Sequence, residues 1–463
     1  MKKSIFRTQN YPNVLWIMTD EQRTDSLGCY GSSWAITPYL DKYAKNGVIF
    51  KNAITPAPVC VPARASLLTG QYPSRTGIWW NHNGKDKRKL EHLTYIFEDA
   101  GYATASFGKQ HYSSPNKAFQ TEYHIEVNEI VDFYSYGSKY NEKEFNVIKY
   151  PPNPYAWILG GRYPEMMEKT VESEVIQKVI AWLKQHPKNQ PFFLRVSINA
   201  PHTPVVPPYP FDCIYRVDDI KYPIEVEGLR YGCSRWIKEA LLHFADAKRL
   251  TAEQIGEIRR YYYGEVSFLD YQCGILLNWM EENSLLDNTI IVFVSDHGTH
   301  LGDYGLVQKQ TFYEPVINVP FFFWHSYAFA KGVTINTPIE TRLLLPTLID
   351  LIGLQNKEIY CEESLSDCLM FGKEPEMKPI FSEFTLGSFG IMHNNKIVMV
   401  RDKNWKLSIC FTPEIEDGAL YNLDDDPYEC TNLYYDAKYK DVRQKLVEMV
   451  LRHLEKEQSK QQK

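Results

Sequence analysis

Four short, mainly apolar runs constrain the fold more than any other feature: Val14–Met18, Ala103–Phe107, Phe192–Ile198 and Thr289–Val294. Each is too short for a helix, lacks a consistent polar face and ends at turn residues, the pattern of strands buried on both sides. The last three each follow a helical stretch: Leu93–Ala100 closed by Gly101, the amphipathic Val171–Lys184, and roughly Ile258–Asn283. Strands alternating with helices predict an α/β fold, a large doubly wound and mainly parallel sheet sandwiched by helices. With 463 residues, 44% of them hydrophobic, the chain can fill such a core. From about Ile380 the pattern changes to short β-prone pieces, Asn395–Arg401, Trp405–Cys410 and Ala419–Leu423, then a final helix over Asp441–Gln458. This predicts a large α/β domain over 1–379 and a small antiparallel sheet with one helix over 380–463. Between them in character, Tyr123–Arg162 is rich in Tyr, Pro and Asn and is expected to be a long irregular insertion.

Several function classes are excluded by composition. The net charge is −6, with no run of like charges, so neither a nucleic-acid arm nor a polybasic membrane patch is expected. No stretch approaches the roughly eighteen apolar residues of a membrane span, and MKKSIFRTQNYPN has no apolar signal core. A cytoplasmic protein is the expectation. Nine cysteines, an odd number without a C-x-x-C pattern, predict reduced and mostly buried thiols; only Cys361 and Cys368 lie close together. The 32 Tyr and 23 Phe are read as core filling before ligand platforms. The insertion or the polar C-terminal tail offers surface for a homo-oligomer, though nothing in the sequence requires one.

The residues just past each strand are more informative. Asp20 and Glu21 come after the first, Lys109 and His111 after the second, Asn199 and His202 after the third, Asp296 and His297 after the fourth. The C-terminal edge of a parallel sheet is where ligands bind. Singly, each pair is as readily a cap or a plain turn; four at one edge are hard to explain as surface decoration. Asp20, Glu21, Asp296 and His297 form a hard donor set suited to Ca2+, Mg2+ or Mn2+ rather than structural zinc. Arg64, Lys109, His111, His202 and Lys309 supply more positive charge than a metal site needs, which points to an anionic substrate.

The segment Cys60-Val61-Pro62-Ala63-Arg64, extended by Ala65-Ser66-Leu67-Leu68-Thr69-Gly70, resembles the C-x-P-x-R signature of the type I sulfatases, in the alkaline phosphatase superfamily. Further elements of that family are present in order: Thr19 to Arg23, Gly108-Lys109-Gln110-His111, Ala200 to Pro204, Ser295 to Leu306, Lys309, Thr311 to Pro315, and Gly418 to Leu433. The resemblance spans residues 12 to 430. It implies sulfate ester hydrolysis, one divalent metal with Ca2+ first, and a metal site of Asp20, Glu21, Cys60, Asp296 and His297. It also implies a maturing enzyme that oxidises Cys60 to formylglycine, whose hydrate is the nucleophile. Arg64 would hold the site, His202 or Lys309 would protonate the leaving alcohol, and His111 would take a proton as sulfate is released. Lys109 completes the catalytic set.

Two residues depart from the family's commoner pattern. Glu21 stands where Asp or Gln is usual. His297 replaces a frequent Asn and resembles the branch of choline sulfatases and phosphonate monoester hydrolases. The rival activity is therefore phosphonate monoester or phosphodiester hydrolysis at the same site, and the rival class a silent binding protein on the same fold. Sulfated carbohydrate is the preferred substrate, with choline sulfate and aryl sulfate open.

Overall fold

The chain is described here by a computed structural model covering residues 6, 11–81, 92–112, 117–125, 141–150, 158–225, 234, 236–237, 241–243, 245–354, 363–385, 395–411 and 416–461. All four apolar runs are strands of one eight-stranded sheet. Its members are β1 (Asn13–Thr19), β2 (Val48–Phe50), β3 (Ala103–Gly108), β4 (Thr121–His124), β5 (Phe192–Ser197), β6 (Thr289–Ser295), β7 (Phe321–Trp324) and β8 (Val333–Ile335). Their order is β8-β2-β7-β6-β1-β5-β3-β4. β1 pairs in parallel with β5 and β6, and β3 pairs in parallel with β4 and β5. Only β7 runs against its neighbours β6 and β2.

Alternation along β1 explains why the run is apolar throughout. Leu15 and Ile17 face a core shared with the helices Val171–Gln185 and Ala252–Glu282, whereas Val14, Trp16 and Met18 face a second core with the helices Cys60–Thr69 and Leu344–Ile352. Each fully buried Leu or Ile contributes roughly 1.5–3 kcal/mol, so a strand with two covered faces tolerates no polar face. The long helix begins six residues earlier than its apolar period suggests. Thr251 and Gln254 form a capping box there, exchanging side-chain and backbone hydrogen bonds around polar first-turn residues. Conversely, the helix expected over Leu93–Ala100 is confined to Tyr95–Asp99, and Gly101 at φ +89° turns the chain into β3.

The C-terminal strands Ile380–Thr385, Lys396–Asp402, Trp405–Phe411 and Glu416–Asn422 form one antiparallel sheet in chain order. Leu446, Val450 and Leu454 of the helix Lys440–Gln461 pack on Val398, Val400, Leu407, Ile409 and Leu420 of that sheet. Polar contacts join it to the larger sheet's loops: Lys406 pairs with Glu314 at 2.9 Å, and Glu314 N donates to Glu429 at 2.9 Å.

The expected insertion over 123–162 lies partly outside the described residues. Its described part holds a short antiparallel pairing of Ile148–Lys149 with Ile158–Gly160, so it is not wholly irregular. Among the described cysteines all are free; Cys60, Cys273, Cys368 and Cys410 are buried, Cys213 and Cys430 exposed. Cys361 lies outside the described residues. No described helix is long and apolar enough to cross a membrane.

Candidate active site

The parallel register brings the four strand ends level. Thr19 pairs with Ser295 and Gly108 with Ser197, so the residues immediately after them emerge along one edge. Cys60 is the first residue of the Cys60–Thr69 helix, where unpaired backbone N–H groups and the helix dipole favour an anion. Asn81, supplied from beyond the helix, accepts from Val61 N at 2.9 Å and occupies one of those donors.

The Cys60 thiol is 1% exposed, with Nε2 of His297 at 3.2 Å, Nζ of Lys309 at 3.3 Å and Oδ1 of Asp20 at 3.7 Å. Burial and Asp20 push the thiol pKa up, but Lys309, His297 and Lys109 outweigh them and hold it well below the ordinary value. Such a pocket stabilises negative charge at this atom.

Arg64, fully buried, organises the carboxylates. Its Nε donates to Asp296 at 2.8 Å and its Nη2 to Asp20 at 2.9 Å; Nη1 donates to Ser197 Oγ at 2.9 Å and Lys109 O at 3.1 Å. Lys109 Nζ pairs with Asp20 at 2.7 Å. Asp20 is held well below the usual carboxylate range, burial being outweighed by Lys109, His202 and Arg64. Asp296 is pushed up to about 6 by burial and by Asp20 facing it. His297 Nδ1 donates to Gly298 O at 3.0 Å, which leaves Nε2 facing Cys60; burial pulls its pKa down, but Asp296 and Cys60 outweigh it and raise it to about 9. One donor atom each from Asp20, Cys60, Asp296 and His297 lies within 4.8 Å of the others. Two carboxylates that repel each other, beside an imidazole whose Nε2 points inward, fit a hard divalent cation.

Glu21, expected among the ligands, belongs to a second set of converging donor atoms, with Asp20 and His202. Its backbone N donates to Asp296 at 3.3 Å, while its carboxylate pairs with Lys309 and approaches His202 Nε2 at 3.3 Å and Thr203 Oγ1 at 3.3 Å. Glu21 thus groups with Asp20 and His202 rather than with Asp296 and His297. Lys309 Nζ is also 3.1 Å from His202 Nε2. Glu21, Gln308 and Gln310 all have positive φ, at +61°, +73° and +66°, so Lys309 projects from a left-handed bend. Burial holds the pKa of His111 below the ordinary imidazole value.

The residues expected from sequence thus lie in one cluster: Lys309 meets the Cys60 sulfur, His202 meets Lys309, and Arg64 and Lys109 meet on Asp20. The supporting groups Ser197, Thr203, Asn81 and Tyr262 were not legible there. Asn199, recognised only as a strand-end residue, accepts from Lys109 Nζ at 3.3 Å. Tyr262 donates to Glu21 O at 2.8 Å and accepts from Arg23 N at 2.9 Å, but lies in a run of three tyrosines that marks none of them out.

Gly298 shows how close the packing is. A Cβ there would fall 2.0 Å from Pro315 O, and its N–H donates to Val316 O at 2.7 Å. Gly298→Ala should force the His297 loop off that backbone, costing about 1–3 kcal/mol. A denaturant melt checks this, and a midpoint equal to wild type would contradict it.

The family described as Sulfatase matches residues 12–354, and one described as N-sulphoglucosamine sulphohydrolase, C-terminal, matches 302–457. An arylsulfatase of Clostridium perfringens is 28% identical over 96% of this chain and 94% of its own length. A choline-sulfatase of Rhizobium meliloti is 26% identical over 92% of this chain and 83% of its own. Among solved structures, the phosphonate monoester hydrolase of Agrobacterium radiobacter superposes with a TM-score of 0.81 at 23% identity, covering 96% of both chains. At that identity it speaks for the fold alone.

Proposed function

This chain belongs to the sulfatase family and is a sulfuric ester hydrolase, and from that premise we propose that it releases sulfate from an alcohol at a centre built on Cys60, matured to formylglycine. Asp20, Asp296 and His297 would hold a divalent cation beside it, Ca2+ first. The observation that carries this reading is the crowding of Arg64, Lys109, His111, His202 and Lys309 around one buried thiol and two mutually repelling carboxylates. When in place, the cation and the hydrated aldehyde supply an activated oxygen nucleophile and stabilise negative charge.

The remaining work falls to the chain. Lys109 and Lys309 flank the thiol position and would bind sulfate oxygens. Arg64 keeps both carboxylates turned to the cation. Glu21, committed to Lys309, fixes that ammonium and lowers the local positive charge. Lys309 Nζ lies 3.1 Å from His202 Nε2, and this pair would deliver a proton to the departing alkoxide. His202 is 26% exposed, on the side open to a leaving group. His111 would accept the proton released as the site resets.

A sulfated saccharide is the favoured substrate, supported by the sulphohydrolase match over 302–457. His297 supports a second reading, phosphonate monoester or phosphodiester hydrolysis, because it stands where Asn is frequent and resembles the branch of choline sulfatases and phosphonate monoester hydrolases. Turnover of 4-nitrophenyl sulfate against 4-nitrophenyl phenylphosphonate by the matured enzyme decides between them. Preference for the phosphonate would overturn the sulfatase reading. We also place the boundary of the C-terminal unit at 379/380, where its first strand begins. His202→Ala should slow alkyl sulfates about 10²- to 10⁴-fold, and activated aryl sulfates far less. Equal losses would remove it from the acid role.

A further inference from the structure

The Gly108–His111 turn carries two of the working groups, yet its own support lies in the layer beneath. Gly108 has φ +95° and a Cβ there would meet Ser197 O at 2.1 Å; His111, not a glycine, has φ +40°. A turn in this region persists only where its surroundings fix it. The bonds of Gln110 run downward. Its Nε2 donates to Ser106 O at 3.4 Å and Gly108 O at 3.2 Å, and its Oε1 accepts from Ser106 Oγ at 3.0 Å and from Nη2 of Arg195.

Arg195 lies in mid-β5 and is fully buried. Its Nε donates to Ser106 Oγ at 2.9 Å, and its guanidinium carbon is 4.8 Å from the ring centre of Phe119, 5.6 Å from Trp16 and 5.7 Å from Tyr112. Among the described residues no carboxylate forms an ion pair with it, and Nη1 has no hydrogen-bond partner. Burial, and then Arg64, lower its pKa to about 9, so the cation persists at neutral pH. An uncompensated buried cation costs several kcal/mol, and contacts with aromatic faces return only part of that. An apolar side chain would fill this gap between rings more cheaply. What a guanidinium adds is a surface made only of donors. It dictates that the amide oxygen of Gln110 faces it, which leaves Nε2 to clamp the two carbonyls that close the turn.

We propose that Arg195 is a positioning residue: by orienting the Gln110 amide it fixes the Gly108–His111 turn, and with it the places of Lys109 and His111 beside Cys60. This rests on the reading of Lys109 and His111 as working groups.

The test uses matured enzyme and 4-nitrophenyl sulfate. Arg195→Met and Gln110→Leu should each lower kcat about ten- to a hundredfold with KM within about threefold, since reacting groups are displaced but the binding pocket stays. The double variant should be no slower than the poorer single one, because both changes break one contact. Arg195→Lys, still donor-only, should recover most of the loss. A folded Arg195→Met or Gln110→Leu enzyme with kcat within about twofold of wild type, or losses that multiply in the double variant, would overturn the proposal. If Arg195→Met does not fold, Gln110→Leu and Ser106→Ala decide by the same threshold. Lys109→Ala and His111→Ala run alongside. If both retain wild-type turnover, the site reading falls and this proposal with it; if they lose it while Arg195→Met does not, only the role of Arg195 falls.

Discussion

Cys60→Ala should abolish turnover and leave the fold standing. The expected loss in kcat is on the order of 10⁴- to 10⁶-fold, the range for removal of an activated nucleophile whose binding partners remain. The thiol is small and packed mainly against polar groups, so the cavity left should cost only about 1 kcal/mol. Cys60→Ser should be equally inactive unless a maturase for serine is supplied. The physical basis is the convergence of His297 and Lys309 on the single position at Sγ, with Lys109 behind Asp20. No other described cysteine has such surroundings: Cys273 is pushed up by burial and by Asp270, Cys410 by burial and by Asp417. A matched mass measurement separates chemistry from fold. Trypsin should release residues 52–64, between Lys51 and Arg64. In active enzyme that peptide should be lighter than the thiol form by the exchange of sulfur for oxygen and the loss of two hydrogens. Full activity with an intact thiol would end the formylglycine reading and leave the sulfatase fold untouched.

Arg64→Met should be the most destabilising single change in the site. Asp20, Arg64 and Asp296 are all completely buried, and each carboxylate receives a guanidinium N–H. Removing the cation strands two anions that already repel each other, which costs about 3–5 kcal/mol for a broken buried pair. Lys109 still reaches Asp20, so the larger penalty falls on Asp296. A divalent cation in the same pocket would supply the missing charge. Hence the variant should melt well below wild type in a chelator and regain part of the difference as Ca2+ is added, following mass action. A variant as stable as wild type in the chelator would mean that the carboxylates are neutralised in some other way. Equal melting with and without Ca2+ would argue against a metal among them.

Much of this site was legible in sequence because its parts obey short-range rules. Apolar runs predict parallel strands, and the residues just past such strands must share an edge; Asp20, Lys109, His202 and Asp296 were located by that geometry. Cys60 and Arg64 needed the family resemblance, since a lone thiol four residues from an arginine has no signal of its own. Glu21 shows where such reading stops. Its place beside Asp20 was legible, but its pairing with Lys309, a residue distant in sequence and reached from a left-handed backbone at φ +61°, was not. Arg195 is the opposite case. An arginine in an apolar strand looks like an interruption, and only the rings of Trp16, Tyr112 and Phe119 in three dimensions show how it is accommodated. The capping box at Thr251 was readable locally but lay outside the apolar period used to set the helix.

The burial of Cys60 has a consequence for timing. A side chain 1% exposed, behind a helix terminus and between two lysines, offers no approach to another enzyme's active site. Any enzyme that oxidises it must meet the segment before the sheet has closed over it. The contacts that close it are among the latest a chain can make: Cys60 meets His297 across 237 residues and Lys309 across 249. During synthesis at about 5–20 residues per second, the Cys60 segment would be available for on the order of ten seconds or more before those partners exist. Activity per molecule should then depend on how fast the chain is made and folded relative to its modification. Faster folding would yield more protein and a smaller active fraction.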